Sequence, residues 1–82
     1  MGRSPINMKV IVETGKWANR YVNERALTLE LPKDATVSDI VSSVGIPADE
    51  AGIAVLGGKA IARGYVLSDG DVVTIHPVIV GG

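Results

Sequence analysis

The stretch TVSDIVSSVGIP, residues 36–47, decides how the rest of the chain is interpreted. Thr36 can cap the start of a helix, and Asp39 stands three residues later, at the position of a capping-box partner. Apolar residues follow at the i, i+3, i+4, i+7 spacing of one helix face, at Val37, Ile40, Val41 and Val44. Gly45 occupies the position of a left-handed C-terminal cap, and Pro47 prevents continuation. The stretch predicts one short helix, which its β-branched residues can sustain only when it packs on a sheet.

Strand-like segments flank this helix on both sides. Before it, residues 8–13 form a β-branched apolar run, and residues 26–31 alternate leucine with other residues, as in a half-buried strand. Residues 15–25 show no clean period and predict a long hairpin loop between these two strands. After the helix come three further predicted strands, the second of them minor, at residues 53–56, 60–62 and 72–76.

The order strand, strand, helix, strand, minor strand, strand predicts an α+β domain. The connection through the helix is long enough for the strands on its two sides to pair in parallel. This order fits a β-grasp (ubiquitin-like) fold, in which a mixed sheet of four to five strands packs on one helix. We expect residues 8–77 to form this single domain, and residues 1–7 and 78–82 to be flexible tails.

Length and composition exclude several classes of function. A chain of 82 residues provides one small core, and its eight basic and nine acidic residues give no basic surface for nucleic acid. The absence of cysteine removes disulfides, cysteine nucleophiles and thiolate metal sites, and a single histidine removes a histidine-rich metal site. No apolar run approaches the roughly 20 residues that span a bilayer, and the start of the chain lacks the core of a signal peptide. We therefore expect a cytoplasmic protein without nucleic-acid or membrane partners.

Candidate chemical groups inside the domain have simpler structural interpretations. His76 has no serine, cysteine or paired carboxylates to accompany it, so we expect it on the solvent-facing side of a strand. Asp69 and Asp71 bracket Gly70, which favours a turn over a cation site. Residues 57–59, Gly-Gly-Lys, lack the spacing of a phosphate loop. The sequence therefore predicts no catalytic site within the domain, no metal and no bound cofactor.

The end of the sequence is more informative. Gly81 and Gly82 follow an apolar segment, and a diglycine end is narrow enough to enter a partner's active site where any Cβ would collide. The apolar residues before it can pair with a partner as an added strand. A frayed end without function is the alternative interpretation. The expected partner-binding residues are Pro77, Val78, Ile79 and Val80.

On these segments the chain resembles the MoaD/ThiS family of ubiquitin-like sulfur carriers, which are small β-grasp proteins. The most specific part is the Asp69-Gly70-Asp71 turn, followed by a strand and by Gly81-Gly82. The matching segments together span most of residues 8–82 and are Met8 to Glu13, Thr36 to Ile40, Gly45 to Pro47, the strand and turn from Ile53 to Lys59, Leu67 to Val73 and Pro77 to Gly82.

The resemblance implies that an E1-like adenylyltransferase of the MoeB/ThiF type uses ATP to adenylate the carboxylate of Gly82, which is then converted to a thiocarboxylate. The further partners that it implies are a sulfur donor, such as a cysteine desulfurase or a rhodanese-like protein, and a molybdopterin synthase large subunit. The long loop at residues 15–25 favours the MoaD branch, and hence molybdopterin (molybdenum or tungsten cofactor) biosynthesis. His76 and Val78 depart from that branch, which often has an aromatic residue and a second proline there.

Other functions remain open at this point. The chain could carry sulfur for thiamine or another metabolite, or it could be a ubiquitin-like modifier, in which a lysine amine attacks the activated Gly82. These differ only in the nucleophile that a partner supplies, so the residues do not distinguish them. A third class is a β-grasp interaction module in which the diglycine has no role.

Overall fold

The structure, a computed structural model, describes residues 7–78. The predicted helix and the five predicted strands are present, with ends that differ from the expected ones by at most two residues. In chain order the elements are β1 (Asn7–Glu13), a 3-10 helix (Lys16–Ala18), β2 (Ala26–Pro32), α1 (Val37–Val44), β3 (Ala51–Leu56), β4 (Lys59–Ile61) and β5 (Val72–Pro77).

The strands form one mixed sheet in the order β2-β1-β5-β3-β4. β1 pairs with β5 in parallel, whereas the pairs β1–β2, β3–β5 and β3–β4 are antiparallel. One helix and a mixed five-stranded sheet confirm the predicted β-grasp fold.

The strand pair that runs in parallel differs from the one that the sequence allowed. The connection through the helix is long enough for β2 and β3 to pair in parallel, but β1 and β5 lie between them. The reason is burial: Val10 on β1 and Val73 and Ile75 on β5 are at most 2% exposed, so these strands take the centre of the sheet. Leu27 and Leu29 of β2 are only partly buried, as suits an edge strand.

The core lies between the inner face of the sheet and α1, and it is aliphatic. Every buried side chain among residues 7–78 is apolar, and the largest of those that are almost completely buried are isoleucine and valine. Trp17 and Tyr21 pack against this core but remain partly exposed. The largest fully buried side chains are Ile40, Ile75, Val10, Val12, Val37 and Val73.

Both ends of α1 have the predicted caps. The backbone N–H of Thr36 donates to Oδ2 of Asp39 over 2.8 Å, which is one half of the capping box. Gly45 has φ = +84°, and its N–H donates to the carbonyl of Ser42 over 3.2 Å. These local bonds fix both ends of a helix of only eight residues.

The predicted hairpin loop between β1 and β2 is present, but it contains ordered structure. It holds the 3-10 helix, after which the N–H groups of Tyr21 and Val22 both donate to the carbonyl of Ala18 over 2.9 Å. Ala18 and Val22 are 0% and 7% exposed and belong to the core. Two apolar residues one turn apart are too few to produce a detectable period, which explains why the sequence did not reveal this feature.

The turn before β5 is confirmed at Asp69, Gly70 and Asp71. Oδ1 of Asp69 accepts the N–H of Lys9 over 2.8 Å, and Oδ2 of Asp71 accepts the N–H of Ser68 over 2.8 Å. Gly70 has φ = +88°, a conformation that glycine adopts without strain. The two carboxylates therefore accept one backbone N–H from β1 and one from the turn itself, which fixes the turn beside β1.

Candidate functional site

The candidate site is the place where the C-terminal segment leaves the sheet. Pro77 ends β5 opposite Ala51, the first residue of β3. One residue further on, the N–H of Val78 donates to the carbonyl of Glu50 over 3.1 Å. We call Pro77 and Val78 the tail base, because the chain continues from here towards the diglycine.

An apolar surface lies on one side of the tail base, on the face of the sheet that points away from α1. Ile53 is 56% exposed there, and the side chains of Val55 and Ala60 lie opposite each other on β3 and β4. We call this surface the outer apolar patch. The residues that line its shallow depression are Ile53, Val55, Gly58, Ala60, His76 and Pro77. It is aliphatic, and it adjoins the point where the chain leaves the fold.

A second depression lies on the other side and is polar. The 3-10 helix region contributes Trp17 and Arg20, and the segment before β3 contributes Asp49 and Glu50. Pro77 and Val78 complete the wall of this depression, which we call the polar cleft. Pro77 lines both surfaces, so a protein that grips the tail base meets an apolar surface on one side and charged groups on the other.

A hydrogen bond joins the hairpin loop to the polar cleft. The hydroxyl of Tyr21 donates to Oε1 of Glu50 over 2.7 Å. This bond, with a smaller contribution from desolvation, raises the pKa of Tyr21 above its ordinary value, and nearby Arg20 partly opposes the shift. Through Glu50, whose carbonyl accepts the N–H of Val78, the loop is connected to the tail base.

The structure locates only part of the predicted site. Pro77 is half-buried and Val78 is 46% exposed, so both are accessible at the tail base. The other predicted site residues, which are Ile79, Val80, Gly81 and Gly82, lie outside the described residues. Their roles in partner binding and in adenylation therefore remain predictions.

The other candidate groups have the structural roles that the sequence favoured. His76 is exposed on β5, at the edge of the outer apolar patch. Gly57 and Gly58 have φ of +60° and +82° in the tight turn between β3 and β4, and no helix follows that could complete a phosphate loop. Over the described range, no group of three histidine or carboxylate side chains has the proximity that a metal ion needs. Within residues 7–78, no helix has the length and apolar character needed to cross a membrane.

Sequence reasoning missed the polar cleft. Glu50 and Arg20 are separated by thirty positions and meet only because the hairpin loop folds back towards the start of β3. The available signal was the pair of aromatic residues, Trp17 and Tyr21, in a loop that carries many charged and amide side chains. A tryptophan in such a setting indicates that the loop packs against the domain.

Three solved structures with the same architecture are distant from this chain in sequence. A Haloferax volcanii protein of known solution structure superposes with a TM-score of 0.74 at 20% identity, covering 93% of this chain and 88% of its own. A putative molybdopterin converting factor, subunit 1, from Pyrococcus furiosus superposes with a TM-score of 0.71 at 20% identity, covering 88% of this chain and 99% of its own. For small archaeal modifier protein 1 of H. volcanii the TM-score is 0.72 at 17% identity, covering 88% of this chain and 99% of its own. At these identities the likeness shows the ubiquitin-like fold.

No curated protein is similar enough in sequence to count as a match. The family model described as Mut7-C ubiquitin, by contrast, matches residues 4–80. This match and the structural relatives confirm the predicted resemblance to ubiquitin-like proteins of the MoaD/ThiS kind. Because the matched residues extend from before β1 to beyond β5, the chain belongs to the Mut7-C ubiquitin family.

Proposed function

We propose that this protein is a ubiquitin-like sulfur carrier whose Gly82 carboxylate is adenylated by an E1-like enzyme and then converted to a thiocarboxylate. The observation that carries the proposal is the tail base. β5 ends at an accessible edge of the fold, five residues before Gly82, with the outer apolar patch and the polar cleft beside it.

The chemistry needs only the terminal carboxylate from this chain. A carboxylate oxygen of Gly82 attacks the α-phosphorus of ATP, the bond to the β-phosphate breaks, and pyrophosphate leaves. The carbonyl carbon of the resulting acyl-adenylate is electrophilic, so the terminal sulfur of a persulfide on a donor protein attacks it and AMP departs. A thiol then attacks the donor's sulfur in the acyl disulfide and forms a new disulfide with it, so the S–S bond to the acyl group breaks and the thiocarboxylate remains on Gly82. The domain binds and orients, and the partner enzymes supply the catalytic groups.

Deletion of Gly82 should abolish activation without unfolding the domain. Among residues 7–78, every buried core residue lies between Met8 and Ile75, so we expect the free energy of unfolding to change by no more than about 0.5 kcal/mol. The deletion shortens the reach of the terminal carboxylate by about 3.3 Å. A misplacement of 1 Å can reduce a rate roughly a hundredfold, so ATP–pyrophosphate exchange with the E1-like enzyme should be lost.

Replacing Gly81 with a bulky residue should have the same effect, because a side chain would collide in a channel built for glycine. Thermal unfolding of both variants serves as the control for the fold. If the Gly82 deletion supports exchange at the wild-type rate, the diglycine has no role and the domain is an interaction module.

A second test uses protein purified from its native host. The proposal requires a free carboxylate on Gly82, so the intact mass should correspond to a chain that ends there. A fraction should carry one sulfur in place of one oxygen, and alkylation of the thiocarboxylate should shift its mass. A mature chain that continues beyond Gly82 would contradict the proposal.

We assign the sulfur to molybdopterin (molybdenum or tungsten cofactor) biosynthesis, with a molybdopterin synthase large subunit as the acceptor. The support is the similarity in fold to a putative molybdopterin converting factor subunit and the long loop between β1 and β2. Loss of molybdoenzyme activity in a deletion strain, restored by the wild-type gene but not by one lacking the Gly82 codon, is the expected result. A thiamine requirement in that strain would instead assign the carrier to thiamine synthesis.

A modifier function is the second candidate, and the similarity in fold to a small archaeal modifier protein favours it. Here a lysine amine, not sulfur, attacks the acyl-adenylate, and an isopeptide bond forms as AMP leaves. Proteolytic digests of native-host proteins would then contain lysines that carry the C-terminal residues of this chain. Finding such peptides without any thiocarboxylate would favour the modifier over the sulfur carrier.

A further inference from the structure

Gly52, near the start of β3, lies against the backbone of the tail base. A Cβ placed on Gly52 would lie 2.5 Å from the carbonyl oxygen of Pro77, 2.7 Å from its carbonyl carbon and 2.9 Å from the carbonyl oxygen of His76. Real Cβ atoms essentially never approach other atoms this closely, and backbone atoms cannot swing aside as a side-chain tip can. Any residue other than glycine would therefore displace the end of β5.

Position 52 requires glycine because the space beside it is too small for a Cβ, and not because of its backbone conformation. The glycines with positive φ among residues 7–78 are Gly45, Gly57, Gly58 and Gly70, and Gly52 is not one of them. Other residues could adopt its backbone angles without strain. The close approach of the β5 backbone at Pro77 is the feature that excludes a side chain at position 52.

The same place contains an irregularity in the sheet. The register between β3 and β5 shifts between the pairs Ala51–Pro77 and Ala54–Ile75, so Gly52 lies within the irregular part of the ladder. Such irregularities bend a strand and change the direction of the residues after the bend. Here the shift allows the N–H of Val78 to reach the carbonyl of Glu50, one residue before β3 begins.

We propose that Gly52 is a positioning residue that sets the direction in which the tail base leaves the sheet. Its missing Cβ allows the close approach of Pro77, and this approach allows the Val78–Glu50 hydrogen bond. That bond holds the tail base between the outer apolar patch and the polar cleft. The consequence for activation rests on the proposed function, whereas the geometry does not.

The test compares Gly52→Ala with Gly64→Ala in the full chain. Gly64 is the matched control, because a Cβ there meets nothing within 4 Å and its φ is not positive. In Gly52→Ala we expect the Val78 amide proton to exchange about tenfold faster or more, since its hydrogen bond is displaced. In Gly64→Ala the exchange rate of this proton should stay at the wild-type value. Equal exchange in wild type and Gly52→Ala would overturn the proposal.

Kinetics of adenylation separate positioning from general damage. We expect Gly52→Ala to lower kcat between about tenfold and a hundredfold, with KM for the carrier within about twofold of wild type, because a misplaced end slows the reaction after docking. A loosened fold would instead reduce the concentration of competent carrier and raise KM. If wild type itself is not adenylated, the proposed function fails, while the exchange of the Val78 proton still decides the role of Gly52.

A change at the other partner of the bond covers the case in which Gly52→Ala does not fold. Replacing the backbone N–H of Val78 with an ester oxygen, by semisynthesis of the full chain, removes the donor that Glu50 accepts and leaves every side chain unchanged. We expect the same loss of kcat with a nearly unchanged unfolding midpoint. A folded ester chain with wild-type kcat would show that the direction of the tail base does not matter, and would overturn the proposal.

Discussion

At the scale of single residues, the hydrogen bond from Tyr21 to Glu50 makes one surface of the tail base sensitive to pH. The bond raises the pKa of Tyr21, so the folded state holds the phenolic proton more tightly than the unfolded chain does. The sign follows from linkage: the stabilisation is complete below the usual tyrosine pKa of about 10 and is lost as the pH rises through the higher pKa of the folded state.

We therefore expect Glu50→Ala to lower the pKa of Tyr21 towards its usual value, because both the hydrogen bond and the negative charge disappear. The absorbance of tyrosinate as a function of pH measures this pKa. The titrations are done in a Tyr65→Phe background, which leaves Tyr21 as the sole tyrosine. Asp49→Ala is the matched control, since Asp49 lines the same cleft without bonding to Tyr21. An identical titration curve in wild type and Glu50→Ala would contradict the assignment.

At the scale of an element, α1 depends on its caps more than a longer helix would. Asp39→Ala leaves the N–H of Thr36 without its acceptor and removes the only acidic group of the first turn. We expect a loss of about 1 kcal/mol in the free energy of unfolding, measured in urea with an unchanged m-value. Asp39→Asn keeps an acceptor oxygen without the charge and should recover part of the loss. Equal stability of wild type and Asp39→Ala would show that the capping box contributes nothing.

This helix was also the element that the sequence predicted best. Thr36, Asp39 and Gly45 act within a few residues of one another, so the information needed to place α1 is local. The 3-10 helix at Lys16–Ala18 was not predicted, because the burial of Ala18 and Val22 depends on elements far away in sequence. The strands were predicted for the same reason as α1, because the alternation of apolar and polar residues and the glycine-containing turns are also local signals.

At the scale of the whole molecule, the arrangement of the strands determines which apolar residues surround the tail base. Ile53 and Val66 are exposed to nearly the same extent, at 56% and 54%. Ile53 lies in the outer apolar patch, whereas Val66 lies near Asn7, at the opposite end of the sheet from Pro77. The sequence alone could not distinguish them, because the distinction depends on the order β2-β1-β5-β3-β4.

We expect Ile53→Glu to weaken binding to the activating enzyme at least about tenfold, since a charge would enter an apolar contact. Val66→Glu should bind as wild type does, which makes it the matched control. Titration calorimetry gives the affinities, and urea unfolding verifies that both variants are as stable as wild type. Equal weakening by the two substitutions would mean that docking depends on the net charge of the protein and not on the outer apolar patch.

The central position of β5 has a consequence for biosynthesis. Residues 72–77 lie between β1 and β3, so the hairpins β1–β2 and β3–β4 cannot join into one sheet until the ribosome has released this strand. Pairing between β1 and β5 is also the slow kind of contact in folding, because a long loop must close first. A nascent or truncated chain without β5 lacks the assembled sheet and the tail base together. A chain whose synthesis stops before β5 therefore cannot present the tail base on an unfinished sheet.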